Sequence, residues 1–437
     1  MKRIIIGAAL AACLTASTAS AAPVQLQWWH AMTSVNADRV NKIAADFNAS
    51  QTAYEIVPVF KGSYAETMNA GVAAYRAGNA PHIIQIFEVG TATMMAAKGA
   101  VKPVYQLMEE AGEPFDQNAY LAAVTAYYST ADGKMLSLPF NSSTAITYWN
   151  KDAFKKAALD SDQAPRTWPE TLAAARKLRS AGTPCGLTAA WISWTQIEQF
   201  SAWHNVPLAT KANGLAGADA VLEFNNPVVS KHIQSLAEAQ KDKSFDYGGR
   251  TSEPEGKFLT GECAMIQTSS AAYGIFKAGA KFNFGMAELP YYPDAAGAPQ
   301  NSIIGGASLW VMGGKKPEEY KGVAKFFTFL SQTDRQQRLH EETGYLPITK
   351  AAYEATKASG FYEQNPGREI PVLQMTARPP TENSRGLRLG NLVQIRDVIA
   401  ENLETVFAGK SDAKPALGDA VKRGNDLLRQ FQKNTQQ

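Results

Sequence analysis

Pro139–Asn150 reads PFNSSTAITYWN: an asparagine, two serines and a threonine in four consecutive positions, then an alternating apolar run that ends in Tyr148, Trp149 and Asn150. Hydroxyls and amides at that density, next to turn N–H groups, are the donors that an anion's oxygens accept from. They perform no reaction unless a base, nucleophile or metal joins them. The chain has no GxGxxG, no Walker loop, no HExxH and no GxSxG. Its histidines, at 30, 82, 204, 232 and 340, have no ligand spacing and pair with no cysteine or carboxylate in a metal pattern. No catalytic residue, cofactor or metal is assigned, and binding without turnover is the expectation.

The elements around this stretch follow from periodicity. Val24–Trp29 alternates as a strand, and Ala37–Asn48 places Val40, Ile43, Ala44 and Phe47 on one helical face. A strand over Tyr54–Phe60, a turn at Lys61–Tyr64, a helix over Ala65–Ala77 and a buried strand over His82–Phe87 follow. That order predicts a parallel or mixed α/β sheet, which binds ligands at the carboxyl ends of its strands. Trp29, His30, Gly62, Tyr64, Phe87 and Glu88 stand there. Pro139–Asn150 then reads as a crossover into a second α/β block, with Asn150 capping a helix that starts at Lys151.

The second block contains a helix over Trp168–Ala181, an extended Gly186–Ala190, the aromatic run Trp191–Trp194 and a helix over Asn226–Asp242. A strand from Cys263 ends at Thr268-Ser269-Ser270, Phe282–Leu289 is extended, and Ser302–Val311 carries the pair Gly305-Gly306 into a strand. Glu318–Leu330 is an amphipathic helix, Tyr345-Leu346-Pro347 is extended, and GLRLGN leads into a helix over Gln394–Phe407. Read singly, Arg396 would pair with its helical neighbours Asp397 or Glu401, and Trp191 with Trp194 would form one core face.

Length and composition are those of a globular chain of two domains: 437 residues, 45% hydrophobic and 19% charged. The net charge of +3 falls to about +1 without Lys2 and Arg3, which leaves no basic block for nucleic acid. Lys2-Arg3, the apolar Ile4–Leu14 and Ala19-Ser20-Ala21 form a cleavable export signal, with residues 1–21 removed. Leu10-Ala11-Ala12-Cys13 permits a lipidated Cys13 as the second reading. Cys185 and Cys263 remain in the mature chain, open to either a disulfide or two buried thiols.

The segments KGSYAETMNAG, FEVGTATMM, PFNSST, WNKDAFKKAAL, GECAM, IIGGASLWVM, TGYLPIT and GLRLGN..QIR resemble the periplasmic glycerol-3-phosphate-binding proteins of ABC importers, within the solute-binding family that includes maltose-binding protein. They occur in the same order along nearly the whole mature chain. The resemblance implies an α/β receptor of two lobes, residues 22–140 with 291–331 and residues 141–290 with 332–437, joined by three crossovers around a central cleft. It implies a phosphate held by Ser143, Ser269, Gly306, Tyr345 and Arg396, with glycerol hydroxyls on Tyr64 and Glu88 at the opposite end and Trp191 on the cleft wall. Ser142 and Trp194 are adjacent candidates, and Ser270 competes with Ser269 because TSS continues into Ala271-Ala272 where the family pattern has Gly-Ser. The implied function is capture of sn-glycerol-3-phosphate, and of diesters such as glycerophosphocholine, by a periplasmic monomer that serves two permease subunits and an ATPase. An oligosaccharide receptor of the same fold and a secreted phosphodiesterase are the alternatives.

Overall fold

The structure is a computed structural model that describes residues 22–130 and 132–435; the expected export signal, its cleavage site and Cys13 lie outside them. The alternation of VQLQWWH folds as β1 (Val24–His30), with Leu26 and Trp28 turned into the core. β2 (Tyr54–Phe60) and β3 (Ile83–Phe87) flank it, both parallel to it. β10 (Gly305–Met312) returns from far along the chain and pairs antiparallel with β3. On its other side it pairs with β4 (Val101–Lys102) and β5 (Leu138–Ser143), which completes a six-stranded sheet. The helix Pro317–Leu330 lays Phe326 on Phe47 and Trp28, with ring centroids 5.2 and 5.5 Å apart. Burying such a ring contributes roughly 2–3 kcal/mol.

The second sheet has the order β7-β8-β6-β9, from β7 (Cys185–Ala189), β8 (Cys263–Ser269), β6 (Ala145–Asn150) and β9 (Phe284–Ala287). Thr144 alone separates β5 in one sheet from β6 in the other. The predicted crossover is therefore present, and it is as short as a crossover can be. Asn150 caps the helix Lys151–Lys156 as expected, its side chain accepting from the Ala153 N–H at 2.9 Å. Each sheet with its covering helices forms one lobe of a type II binding-protein fold.

Two expectations are corrected. Backbone pairing carries the first sheet through Ser143, so the change of sheet falls at Thr144 and not after 140. Tyr291 bridges to Thr167 and the Tyr292 N–H bonds His204, both in the second lobe, so the return to the first sheet comes at Gly305 and not at 291. Ahead of β8, Glu255–Leu259 forms a short helix that buries Phe258. Sequence reading also missed the 23-residue helix Ala413–Thr435, which packs on Leu392–Phe407 and buries Ala416, Leu417, Ala420 and Leu428.

Cys185 and Cys263 face each other across the parallel β7–β8 pair and form a disulfide. Asp246 lies beside both sulfurs, but bonded sulfurs offer a metal no thiolate. The bridge closes a loop with a sequence separation of 78. Replacing both cysteines by alanine should cost roughly 2–4 kcal/mol in urea unfolding. A midpoint unchanged by the double substitution would show that the bridge adds nothing.

Candidate ligand-binding site

The ends of β3, β5 and β10 and the start of the helix Tyr64–Arg76 converge where the two lobes meet. A capping box sets the helix start: the Ser63 N–H donates to Glu66 at 2.7 Å, and the Glu66 N–H to the Ser63 hydroxyl at 3.3 Å. Tyr64, the first helical residue, then stacks on Phe87 with centroids 5.4 Å apart and planes 5° off parallel. Its hydroxyl accepts from Asn141 Nδ2 at 2.8 Å. Asn141 Oδ1 accepts from Gln85 Nε2 at 2.8 Å, and Gln85 Oε1 accepts from the Ala31 N–H at 2.8 Å. A backbone N–H can only donate, so this chain has one direction. It ends by occupying the Tyr64 oxygen as an acceptor and leaving the Tyr64 O–H as a donor, with the Tyr345 hydroxyl beside it. Burial holds that phenol well above its ordinary pKa.

The serines and glycines are in register. Gly305 opposes Ser143 and Gly306 opposes Ser142 across β10–β5. Gly306 has φ +90°, and a Cβ built there would lie 1.9 Å from the Asn141 carbonyl oxygen. Only glycine fits. The Ser142 hydroxyl is buried without a hydrogen-bond partner, and its carbonyl accepts from the Leu346 N–H at 2.8 Å, which fixes the neighbouring Tyr345. Asn141 and Tyr64 lie beside the Tyr345 hydroxyl, and burial raises its pKa. Both candidates at the end of β8 lie here. The half-buried Ser269 accepts from the Ala271 N–H at 3.1 Å, while the fully buried Ser270 bonds Thr144 through its backbone N–H at 2.8 Å. Each hydroxyl keeps its own proton to donate.

The charged part of the site departs from expectation. Arg396, on the helix Leu392–Phe407, pairs with neither Asp397 nor Glu401. Its Nε donates to Glu198 Oε1 at 2.7 Å and its Nη2 to Glu198 Oε2 at 2.6 Å. The same Nη2 donates to Glu88 Oε1 at 2.7 Å. Glu88 and Arg396, expected at opposite ends of a ligand, are thus in direct contact, because β3 delivers Glu88 to the lobe junction where the Arg396 helix begins. No described residue bonds Nη1. Burial favours the neutral form of both groups. At Arg396 the charges of Glu198 and Glu88 outweigh it and keep the guanidinium protonated. At Glu88 burial outweighs Arg396, and the carboxyl lies above its ordinary pKa.

Glu198 was absent from the sequence-based candidates. It sits on the π-helix Trp194–Glu198, a geometry that marks functional sites, and this helix also turns Trp194 against Gly305. Gln196, on the same turn, is anchored to Gln267 at 2.7 Å and His232 at 2.9 Å. Trp191 precedes the turn, half-buried, at φ +54° beside the Glu255 carboxyl. Burial raises Glu255 to about 7. Gln85 and Asn141 were likewise missed. Trp29, His30 and Gly62 stay at the edge: the His30 ring accepts from the Met32 N–H at 3.2 Å, and Lys61 lies 3.9 Å above the Trp29 ring.

The lobes are closed on one another. Arg39 bonds Glu342 across the rim and Arg396 bonds Glu88 at the junction. A separate gap of about 10 Å³ lies beside Met32, Arg39, Asn141 and Tyr345, lined by neither Glu88 nor Arg396. A larger groove of about 580 Å³ lies on the second lobe between Gln234–Lys241 and Val406–Asp412, lined by none of these residues. Among the described residues no helix is long and apolar enough to cross a membrane. Substituting Gly306→Ala should destabilise the fold by roughly 2–4 kcal/mol, through the forced φ and the Asn141 clash, and denaturant unfolding measures it. A cost under about 0.5 kcal/mol would refute the tight packing.

Comparison with known proteins gives a consistent neighbourhood. Residues 42–370 match the family model described as bacterial extracellular solute-binding protein. The sn-glycerol-3-phosphate-binding periplasmic protein UgpB of Brucella suis is 52% identical over 430 residues, 98% of each chain. That of Rhizobium meliloti is 53% identical over 409 residues, 93% of this chain and 94% of its own. Among solved structures, UgpB from Mycobacterium tuberculosis in complex with glycerophosphocholine superposes with a TM-score of 0.78 at 22% identity, covering 94% of this chain and 99% of that one. Maltose-bound MalE3 of T. maritima gives 0.76 at 18% identity, covering 92% and 100%.

Proposed function

This chain belongs to the bacterial extracellular solute-binding proteins, and from that premise we propose that it is the periplasmic receptor of an ABC importer for sn-glycerol-3-phosphate and glycerophosphodiesters. The observation that carries the reading is the composition of the lobe junction. Hydroxyl and amide donors converge there with a guanidinium that keeps one nitrogen unengaged. A phosphate ester offers several acceptor oxygens and demands such donors; a neutral sugar does not need the guanidinium. The full-length relatives, which are sn-glycerol-3-phosphate-binding periplasmic proteins, support the same ligand.

In this reading the phosphate oxygens accept from Ser143, Ser269, the Gly306 N–H, the Tyr345 hydroxyl and Arg396 Nη1. The glycerol hydroxyls meet the Tyr64 O–H and the free edge of Glu88. Trp191 walls the cleft, its ring placed to meet the head group of a diester. Ser142, Ser270 and Trp194 supply the second layer of donors. The protein acts as a monomer, captures without turnover, and delivers to two membrane subunits driven by an ATPase.

Calorimetric titration of the mature protein with sn-glycerol-3-phosphate should give saturable one-to-one binding with no product, and no heat with maltose. Binding of maltose alone would refute the reading. Arg396→Ala should weaken phosphate-ester binding by about 2–5 kcal/mol, roughly thirtyfold or more, while the far-ultraviolet circular dichroism stays unchanged. Unaltered affinity in that variant would remove Arg396 from the site.

A further inference from the structure

The charges at the lobe junction do not balance. Two buried carboxylates, Glu88 and Glu198, bond one guanidinium, so the cluster carries one net negative charge when all three are ionised. The charged side chains that act on Glu88 are Arg396 and Glu198. The other titratable groups facing the cluster are the phenols of Tyr127, Tyr128 and Tyr64, which burial keeps neutral. Three charges stand further out. Arg388 is held on the carbonyls of Ala126, Tyr127 and Ser129, behind the Tyr127 ring. Arg368 and Glu255 both act on Tyr148, with opposite sign. Burial lifts Glu255 to about 7, so it is only partly charged near neutrality and acts alike on both ligands' measurements. The remaining donors, from Ser142, Ser143, Ser269, Ser270 and Gly306, are uncharged.

A phosphomonoester is a dianion above its second pKa, about 6, whereas a phosphodiester stays a monoanion. Two charges brought into a desolvated cluster that is already negative are opposed far more strongly than one. We propose that the site holds its phosphate ester in singly charged form: a glycerophosphodiester as it stands, a phosphomonoester only together with one proton drawn from solution. The proton resides on the phosphate or on Glu88, the carboxyl that a parting of the lobes would free from Arg396. This inference rests on the phosphate-ester reading above and adds which form of that ligand is bound.

The test is calorimetry at pH 7.5 in two buffers of different ionisation enthalpy, PIPES and Tris. The difference in observed heat should give uptake of about one proton per sn-glycerol-3-phosphate and about none per glycerophosphocholine. Between pH 7 and 8 the affinity for the monoester should fall about tenfold while that for the diester holds. A monoester that binds with no proton uptake and a flat pH profile overturns the inference and leaves the receptor reading intact. Heat from neither ligand overturns the receptor reading, and the inference with it. Glu198→Gln removes one negative charge, so its proton uptake with the monoester should drop well below one; uptake that stays at one would refute the charge count. The wild-type measurement stands without the variant.

Discussion

A guanidinium at the meeting of two lobes, bonded from both sides, is the interaction on which the rest of this structure turns. Arg396 is mostly buried, with 16% of its side chain exposed, and a buried cation left alone is strongly destabilising. Glu198 meets it through a planar two-bond fork from its own lobe, and Glu88 reaches it from the other. Removing one partner of such a buried group costs about 3–5 kcal/mol, because it strands the others. The surrounding elements hold this geometry. The π-helix Trp194–Glu198 widens one turn so that Glu198 and Trp194 both face the junction, and Gln196 ties that turn to β8. β3 ends one residue before Glu88, so the first sheet's central register sets the reach of the second carboxylate.

Around that charged centre the protein relies on donors that cost little to bury. A neutral hydroxyl or backbone N–H carries no Born penalty, and several of them can share a phosphate's charge. Glycine at 306 lets the backbone approach, and the tightness against Asn141 makes the approach specific. The Ala31–Gln85–Asn141–Tyr64 chain adds direction: one obligatory donor at its buried end fixes the polarity of every amide along it. The site therefore presents protons toward the junction without any further positive charge in contact with it. This is the physical basis on which the number of charges on the ligand becomes decisive.

Much of this was legible from the chain because strands and helices carry their periodicity openly. The α/β order, a crossover within Pro139–Asn150 and the Asn150 cap follow from alternation and from turn chemistry, although the change of sheet at Thr144 does not. Tyr64, Glu88, Ser143, Gly306, Tyr345 and Arg396 do meet at one junction, although no single one of them announces a site. What was hidden depended on long-range contact. Glu198 is one acidic residue inside a helical aromatic stretch, and nothing local shows that a π-turn aims it at a residue 198 positions later. Gln85 reads as a polar interruption in a buried strand, an odd residue whose oddness was the available signal. The helix Ala413–Thr435 carries many polar residues on its outer face, which masked an apolar stripe that becomes clear only against Leu392–Phe407.

The two carboxylates on Arg396 are not equivalent once the fold is considered in motion. Glu88–Arg396 and Arg39–Glu342 tie the two lobes together, so a ligand reaches the junction between them when the lobes part. Glu198 and Arg396 pack within one lobe, so a parting of the lobes would leave their fork intact and the guanidinium oriented, its charge balanced by one carboxylate. Glu88 moves with the other lobe. Separation breaks its bond to Nη2, as it breaks Arg39 from Glu342 at the rim, and exchanges both for water. An open form would thus present a preformed Arg396–Glu198 unit on one wall and a solvated carboxylate on the other. Closure returns Glu88 to a site of low dielectric, a cost met by Arg396 and by whatever hydroxyls and protons the ligand brings. A ligand with hydroxyls beside a singly charged phosphate would satisfy both walls at once, adding to the Glu88–Arg396 and Arg39–Glu342 contacts that already hold the lobes together.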